Sequence, residues 1–558
     1  MRKTLFTHVG ILLLLTAACN PMDLAPKDQI SDASFWKSPD QFRLAANDFY
    51  FGLRGAPTSP ISITYSEINS DIATGSATGG QMQSVSNGSY LPPANSALWD
   101  NSFAGIRATN YLLARADQSG LGPQIDRWVG EALFFRAYHY WNLVKTYGGV
   151  PLITQVLDVT SPEVYTPRAT QQEVIDFILA DLDNAIPKLL RQSELAGEEM
   201  GRVTEGAALA LKARAALYQG TWLKYHGGGG NPAPLLAAAI SAAEQLVASG
   251  EYQVYTGQGA QSYKYLFILQ GDDCSEVILA RRYYAGRATH NWTRELWFNY
   301  MIPTKTLADL YLATDGLPIT TSPLFMGYDM TDEFQNRDPR MAMTFIVPGD
   351  SIFADGGVWA TIYPGFTGTN ATRTGYMIRK FLDETLEATQ FQGQYDFKEM
   401  RYGEVLLILA EALYERDGSI SDGDLSRTIN VLRSRVGMPP LTNGHVGANG
   451  LDMLTEIRRE RTVELAFEGF RRDDLRRWKT AETAMPQPLR GVKFVGTEYQ
   501  QRNPTLVVGV DIEVDANGFI VAEPAASRQF VASKHYLDPI PLQQIQLSTG
   551  TLTQNPGW

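Results

Sequence analysis

Between residues 127 and 249 the sequence carries four helical patterns interrupted at breaks marked by Gly, Pro or Asn. Successive helices of this kind bury their apolar faces by stacking in pairs. The strongest pattern covers 127–147, where Val129, Leu133, Ala137, Tyr140 and Val144 fall at i, i+4, i+8, i+11 and i+15 and predict one apolar face. Gly148 and Gly149 stop it, and Pro151 prevents its resumption. The others lie at 171–190, 204–219 and 235–249, and Ala207, Ala208, Ala210, Ala213, Ala215 and Ala216 are small enough to let neighbouring helices approach closely. This is the pattern of tetratricopeptide-type arrays, although no clean repeat of about 34 residues is present.

Elsewhere the pattern is less regular. Helical runs are expected at 41–54 and 98–115, with a Ser-, Thr-, Gly-, Asn- and Pro-rich loop over 57–96 between them. From about 250 to 400 Gly, Thr, Asp and aromatic residues interrupt short extended runs. Helices return at 400–415 and 451–468, and the tail after 490 reads as turns and short strands. The expected fold is mainly α and a single domain over 35–558, with a helical scaffold at about 35–250 and 400–480 and a loop-rich, ligand-facing region at about 250–400.

Residues 1–18 have the make-up of a secretory signal: Arg2 and Lys3, an apolar run from Val9 to Leu15, then small residues up to Cys19. Small residues before a cysteine resemble the lipobox of bacterial lipoproteins, although Leu15 stands one position further from the cysteine than is usual. Acylation of Cys19 would anchor the chain to a membrane through several acyl chains, with residues 19–34 as a tether. The alternative is a plain signal peptide with an incidental cysteine. With Cys19 acylated, Cys274, the only other cysteine, has no disulfide partner. No later segment has the roughly 18 consecutive apolar residues of a spanning helix. A net charge of −12 excludes a basic nucleic-acid footprint and argues against electrostatic adhesion to anionic lipid.

Catalytic templates are missing. The sequence has no G-x-x-x-x-G-K-[ST], H-E-x-x-H or G-x-S-x-G, and its six histidines include no pair at metal spacing. No catalytic residue, metal or cofactor is therefore assigned. His226 to Gly229 imitate an oxyanion loop but read as a Gly-rich linker. Glu460, Glu464 and Glu468 recur every four residues without a histidine, and Arg458, Arg459, Arg461, Arg471 and Arg472 are near enough in sequence to neutralise them, so structural ion pairing is expected.

The remaining signal is aromatic. Tyr283, Tyr284, His290, Trp292, Trp297 and Tyr300 form one group and Trp359, Tyr363 and Phe366 a second, among Gly, Thr and Asn neighbours unlike those of a core. A sugar ring offers an apolar C–H face to an exposed aromatic while Asn, Asp and Arg satisfy its hydroxyls. Tyr283, Tyr284, Trp292, Trp297, Tyr300, Trp359 and Tyr363 are thus candidate glycan platforms. Loss of Trp292 or Trp359 is expected to abolish binding without unfolding the helices. For Trp297 and Tyr300, packing under the loop is an equal alternative, whereas Trp99, Trp128, Trp141 and Trp478 lie on helix faces and read as core.

Eight blocks, in order, resemble the SusD/RagB family of Bacteroidetes outer-membrane lipoproteins. They are GEALFFRAYHYWNLVKTYGGVPLIT (130–154), PTKTLADLYLATDG (303–316), NRDPR (336–340), TGYMIRKF (374–381), RYGEVLLILAEALYE (401–415), IRRERTVELAFEGFRRDDLRRW (457–478), YLDPIP (536–541) and QNPGW (554–558). The resemblance implies a SusD-like body of tetratricopeptide-like helix pairs and a glycan-binding role without catalysis. It also implies delivery of oligosaccharides to a SusC-like TonB-dependent transporter of the outer membrane, at the cell surface. Glu131, Arg136, Glu464 and Glu468 would be scaffold. Tyr65, Asn69 and Asp71 join the candidate ligand residues because their loop is similarly placed to loops that line the family's ligand surface. The alternatives are a peptide-capturing lid of a RagA-like transporter and a surface glycoside hydrolase.

Overall fold

The four central patterns all become helices. In a computed structural model, which describes residues 32, 35–56, 67–76, 83–227, 229–353, 359–368, 371–384 and 392–558, α1 (Pro39–Asn47) and α2 (Ala97–Ser119) lead into α3 (Asp126–Tyr147), α4 (Gln171–Ala185), α5 (Glu205–His226) and α6 (Ala233–Ser249). Cys19, the leader before it and Tyr65 lie outside the described residues. Local chemistry sets the boundaries. Thr170 and Glu173 form a capping box at the start of α4, and α3 ends at Gly148, whose φ of 71° suits a residue without Cβ. Helix α5 runs past the expected end at 219 because Gly220 lies against Leu236 of α6, where a Cβ would come within 3.0 Å of the leucine side chain. It stops at Gly227, so His226 is the last helical residue rather than part of a loop; its ring stacks on Trp222 with centroids 4.0 Å apart.

Successive helices pack on one another, α2 on α3, α3 on α4, α4 on α5 and α5 on α6. Helix α3 is buried on more than the single face expected, since Phe134, Phe135 and Tyr138 are inaccessible alongside Leu133, Ala137, Tyr140 and Val144. Its two flanking helices and the turn over Asp48–Gly52 explain this burial. Ion pairs join the same layers: Arg136 grips Asp181 of α4 through two 2.7 Å hydrogen bonds, and Arg202 grips Glu131 at 2.9 and 2.7 Å. Trp99, Trp128, Trp141 and Trp478 are all buried, as expected.

The chain from 250 to 400 departs further from expectation. It contributes short helices, including α7 (Trp292–Trp297) and α8 (Pro339–Thr344), and strands that pair only in twos. Among the described residues, β1 (Ala73–Gly75) pairs antiparallel with β3 (Met301–Pro303), β2 (Val277–Arg281) with β6 (Phe397–Arg401), β4 (Ser351–Phe353) with β5 (Trp359–Thr361), and β7 (Leu489–Lys493) with β8 (Phe519–Glu523). Beneath them lies a second hydrophobic core, rich in aromatics such as Tyr263, Phe267, Trp292, Tyr376, Phe381 and Tyr395. The region packs around an interior that it shares with residues of 56–73, 436–467 and 492–520, such as Ile72, Phe467 and Phe494.

Helices α9 (Tyr402–Asp417), α10 (Ile429–Arg435), α11 (Met453–Glu464) and α12 (Arg471–Arg477) complete the body, with α9 against α5, α6 and α11. A buried ion cluster ties this part to the 250–400 region. Glu464 contacts Arg435 at 2.6 Å, Arg401 at 2.8 Å and Arg340 of α8 at 2.9 Å. Glu460 takes Arg340 and Arg433, Glu468 takes Arg401 and Lys380, and Glu276 takes Arg401 and Arg435. Burial would raise the Glu464 carboxyl, but the Arg435, Arg401 and Arg340 guanidiniums overcome it and hold the group well below the usual carboxylate range. The glutamates are structural, as expected, yet their partners are not the neighbouring arginines. Arg458 pairs with Glu415, Arg459 with Glu456, Arg461 with Asp474, Arg471 with Asp71 and Arg472 with Asp538. At about 100° per residue, positions 458, 459 and 461 point away from the face shared by 460 and 464.

Candidate functional site

Three consecutive aromatics, Phe49, Tyr50 and Phe51, occupy the turn after α1, and a helical turn cannot direct all three into one core. Phe49 is buried, Tyr50 is half-buried, and Phe51 is 76% exposed. This phenyl ring lines a cleft of about 710 Å³ between the 48–56 segment, α2, α3 and the end of β2, together with Asp48, Asn101, His139, Arg281 and Tyr283. Close packing shapes its floor. His139 fits against Gly52 and Gly105, where a Cβ would come within 2.8 and 2.1 Å of the imidazole, and a Cβ on Gly55 would strike the Tyr283 hydroxyl. Burial holds the His139 imidazole down at about 4, so it lines the cleft as a neutral ring at pH 7.

A second recess, of about 320 Å³, shares Phe51, Leu53 and Arg281 with the first and adds Arg202, Arg282 and Ala288. Tyr284, 53% exposed, is bonded to two of its lining residues, its hydroxyl accepting from Arg282 Nη2 at 2.9 Å and its N–H donating to the Ala288 carbonyl. Exposed aromatics near amide, carboxylate and guanidinium groups can stack an apolar ring face and hydrogen-bond its polar substituents.

Few of the residues expected to stack on ligand meet here. Tyr283 lines the cleft, but it is only 6% exposed and its hydroxyl is within 3.4 Å of the Ala56 carbonyl, so it contributes an edge rather than a face. Tyr284 presents its ring. Trp292 must be corrected from platform to core: it is 2% exposed and stacked on Phe381 with centroids 4.0 Å apart. His290 is likewise inaccessible. Trp297 is half-buried and packs on a small separate cluster containing Ile346, Ile352 and Ile362, next to the β4–β5 hairpin. Tyr300 is half-buried beside Phe298. Trp359 opens β5, and Tyr363 just beyond it is 40% exposed, with the Arg502 guanidinium 3.8 Å from its ring centroid.

The added polar residues serve packing. The Asp71 carboxylate is held by Arg471 through two 2.8 Å hydrogen bonds, leaving it buried and occupied. Asn69 is half-buried and lines a cavity of only about 10 Å³ with Tyr90, Arg472 and His535. Phe51 was not anticipated. Its signal was the aromatic triplet itself, which reads as the end of a core helix until the turn at Asp48 rotates one ring outward.

Among the described residues no helix is long and apolar enough to cross a membrane. Comparison with known proteins connects this architecture to a family. Residues 255–558 match the model described as "SusD family", and residues 59–217 match one described as "Starch-binding associating with outer membrane". SusD-like protein P38 of Formosa agariphila is 22% identical over 522 residues, covering 86% of this chain and 91% of that protein. The crystal structure of a SusD-like carbohydrate-binding protein from Bacteroides fragilis superposes with a TM-score of 0.77 at 24% identity, covering 93% of this chain and 99% of that one. A laminarin-binding SusD-like protein superposes with a TM-score of 0.58 at 22% identity over 93% of this chain and 99% of its own. With its carboxyl-terminal half matched by the family model and the helical body shared almost end to end, the chain belongs to the SusD family.

Proposed function

We propose that this protein captures glycans at the cell surface, without cleaving them, and passes them to a SusC-like TonB-dependent transporter of the outer membrane. The observation that carries the reading is the cleft beneath Phe51: a ring 76% exposed, facing Asn101, Asp48 and Arg281, with Tyr284 presented nearby. A phenylalanine this exposed contributes little to folding, and its surroundings are those that can hold a sugar ring. Family membership supports the same reading, as do relatives whose names state carbohydrate or laminarin binding. Attachment through an acylated Cys19 would hold the protein at the membrane, and the 19–34 tether would let it move over a transporter.

The test is a thermal-shift screen of the full chain, purified in detergent, against a glycan and peptide library, because a ligand that binds only the folded state raises its apparent stability. Glycan hits that Phe51→Ala removes, with the glycan chemically unchanged after long incubation, are the expected result. Shifts from peptides alone would replace the reading with peptide capture, and shortened glycan products would replace it with hydrolysis. Cys19→Ser is expected to release the protein from membranes.

A further inference from the structure

The arginines around the cleft differ in one respect. Arg54 is paired with Glu399 at 2.6 Å, Arg202 with Glu131 at 2.7 Å, and Arg282 with Asp396 at 2.9 Å and Asp273 at 2.6 Å. Arg281 lies at the end of β2, lines both recesses, and has no carboxylate partner among the described residues. Its Nη1 donates to the Leu53 carbonyl at 2.8 Å, and its guanidinium carbon lies 6.0 Å from the Tyr283 ring centroid. Those contacts fix the side chain, while Nε and Nη2 make no hydrogen bond to any described residue and the group is only half-buried. None of the four carboxylates that neutralise the other arginines lines either recess, so the arginines border the cavities without their counter-charges. Asp48, exposed at the rim, is the only acid in the lining of the two.

A guanidinium held in place, half-desolvated and left with two free donors is a receptor for a planar or tetrahedral oxyanion. Building on the glycan-capture reading, we propose that the ligand is an acidic glycan and that Arg281 binds its carboxylate or sulfate while Phe51 and Tyr284 take the ring faces. Uronic acids and sulfate esters present the same oxyanion chemistry, and the two arms of the test separate them.

The probes are two matched pairs: an oligogalacturonate with its carboxyl-reduced form, and a sulfated galactan oligosaccharide with its desulfated form. Each is titrated calorimetrically into the full chain in detergent. The expected result is that one acidic member binds at least about tenfold tighter than its neutral twin, the discrimination of a charged hydrogen-bonded contact. The gap should narrow as salt is raised to about 1 M, where the screening length falls to about 3 Å. Arg281→Met should close it by weakening the acidic member far more than its neutral twin. Equal affinity for both twins of each pair would overturn the proposal, and so would an Arg281→Met protein that keeps the preference. If loss of the Leu53 contact unfolds that variant, the comparison of twins on the unmodified chain still decides. A chain that binds neutral glycans equally well refutes the acidic ligand alone; one that binds no glycan of any kind refutes the capture reading beneath it.

Discussion

Phe51 and Trp292 should respond in opposite ways to the same truncation. Full burial of a phenylalanine side chain contributes about 1.5–3 kcal/mol. At 76% exposure only about a quarter of that is realised, so Phe51→Ala is expected to lower folding stability by about 0.5 kcal/mol. Trp292 is 2% exposed and stacked on Phe381, so Trp292→Ala removes nearly the whole of a large aromatic from a close-packed core, a loss of about 3–5 kcal/mol. Ligand binding should reverse the order. A stacking platform contributes about 1–3 kcal/mol per ring, so Phe51→Ala should weaken glycan binding by about 5- to 150-fold. Trp292→Ala, where it remains folded, should leave affinity nearly unchanged. The assay is urea unfolding followed by tryptophan fluorescence and circular dichroism, with calorimetric titration of the glycan identified by the screen. A Phe51→Ala protein that binds normally, or one destabilised as much as Trp292→Ala, would refute the assignment of this cleft.

Three further outcomes are expected. Glu464→Gln leaves Arg340, Arg401 and Arg435 sharing one fewer buried charge and should cost about 3–5 kcal/mol in urea unfolding, far more than Glu498→Gln at an exposed helical pair. Burial raises the Glu67 and Glu333 carboxyls from 4.5 to about 7. The folded chain therefore keeps protons that the unfolded chain releases, and stability contributed below pH 4.5 is lost as pH rises towards 7; a thermal melt at pH 8 should fall below one at pH 5, and Glu333→Gln should recover part of the difference. Burial also pushes the Cys274 thiol up to about 11, so iodoacetamide at pH 8 should label it far more slowly than a free cysteine, and faster in urea.

Periodicity carried the helical half of this reading because it reports local geometry. The 127–147 stripe and the Gly148 stop became α3 with its ends almost unchanged. What could not be read was whatever depends on residues distant in sequence. Gly220 looked like a helix end because its neighbour Leu236 was not yet in place. Glu464 was given the arginines next to it, whereas its partners come from α8, β6 and α10. Trp292 has Asn291 and Thr293 as neighbours and reads as surface until α7 turns it onto Phe381. Exposure of a single ring is likewise a property of the assembled turn, so Phe51 stands out only in three dimensions, whereas Tyr284 is already a candidate from its place in the sequence.

The cluster around Glu464 also governs how the chain can be divided. Its cations come from positions 340, 380, 401, 433 and 435 and its glutamates from 276, 460, 464 and 468, so most of its ion pairs join stretches distant in the polypeptide. A fragment ending before α11 would carry Arg340, Arg401 and Arg435 without Glu460, Glu464 and Glu468, and one beginning there would carry those three glutamates without the cations that pair with them. Neither piece can dry its half of the interface alone. The two would have to find each other during folding, and a protease cut near residue 445 should leave halves that stay associated until both unfold together.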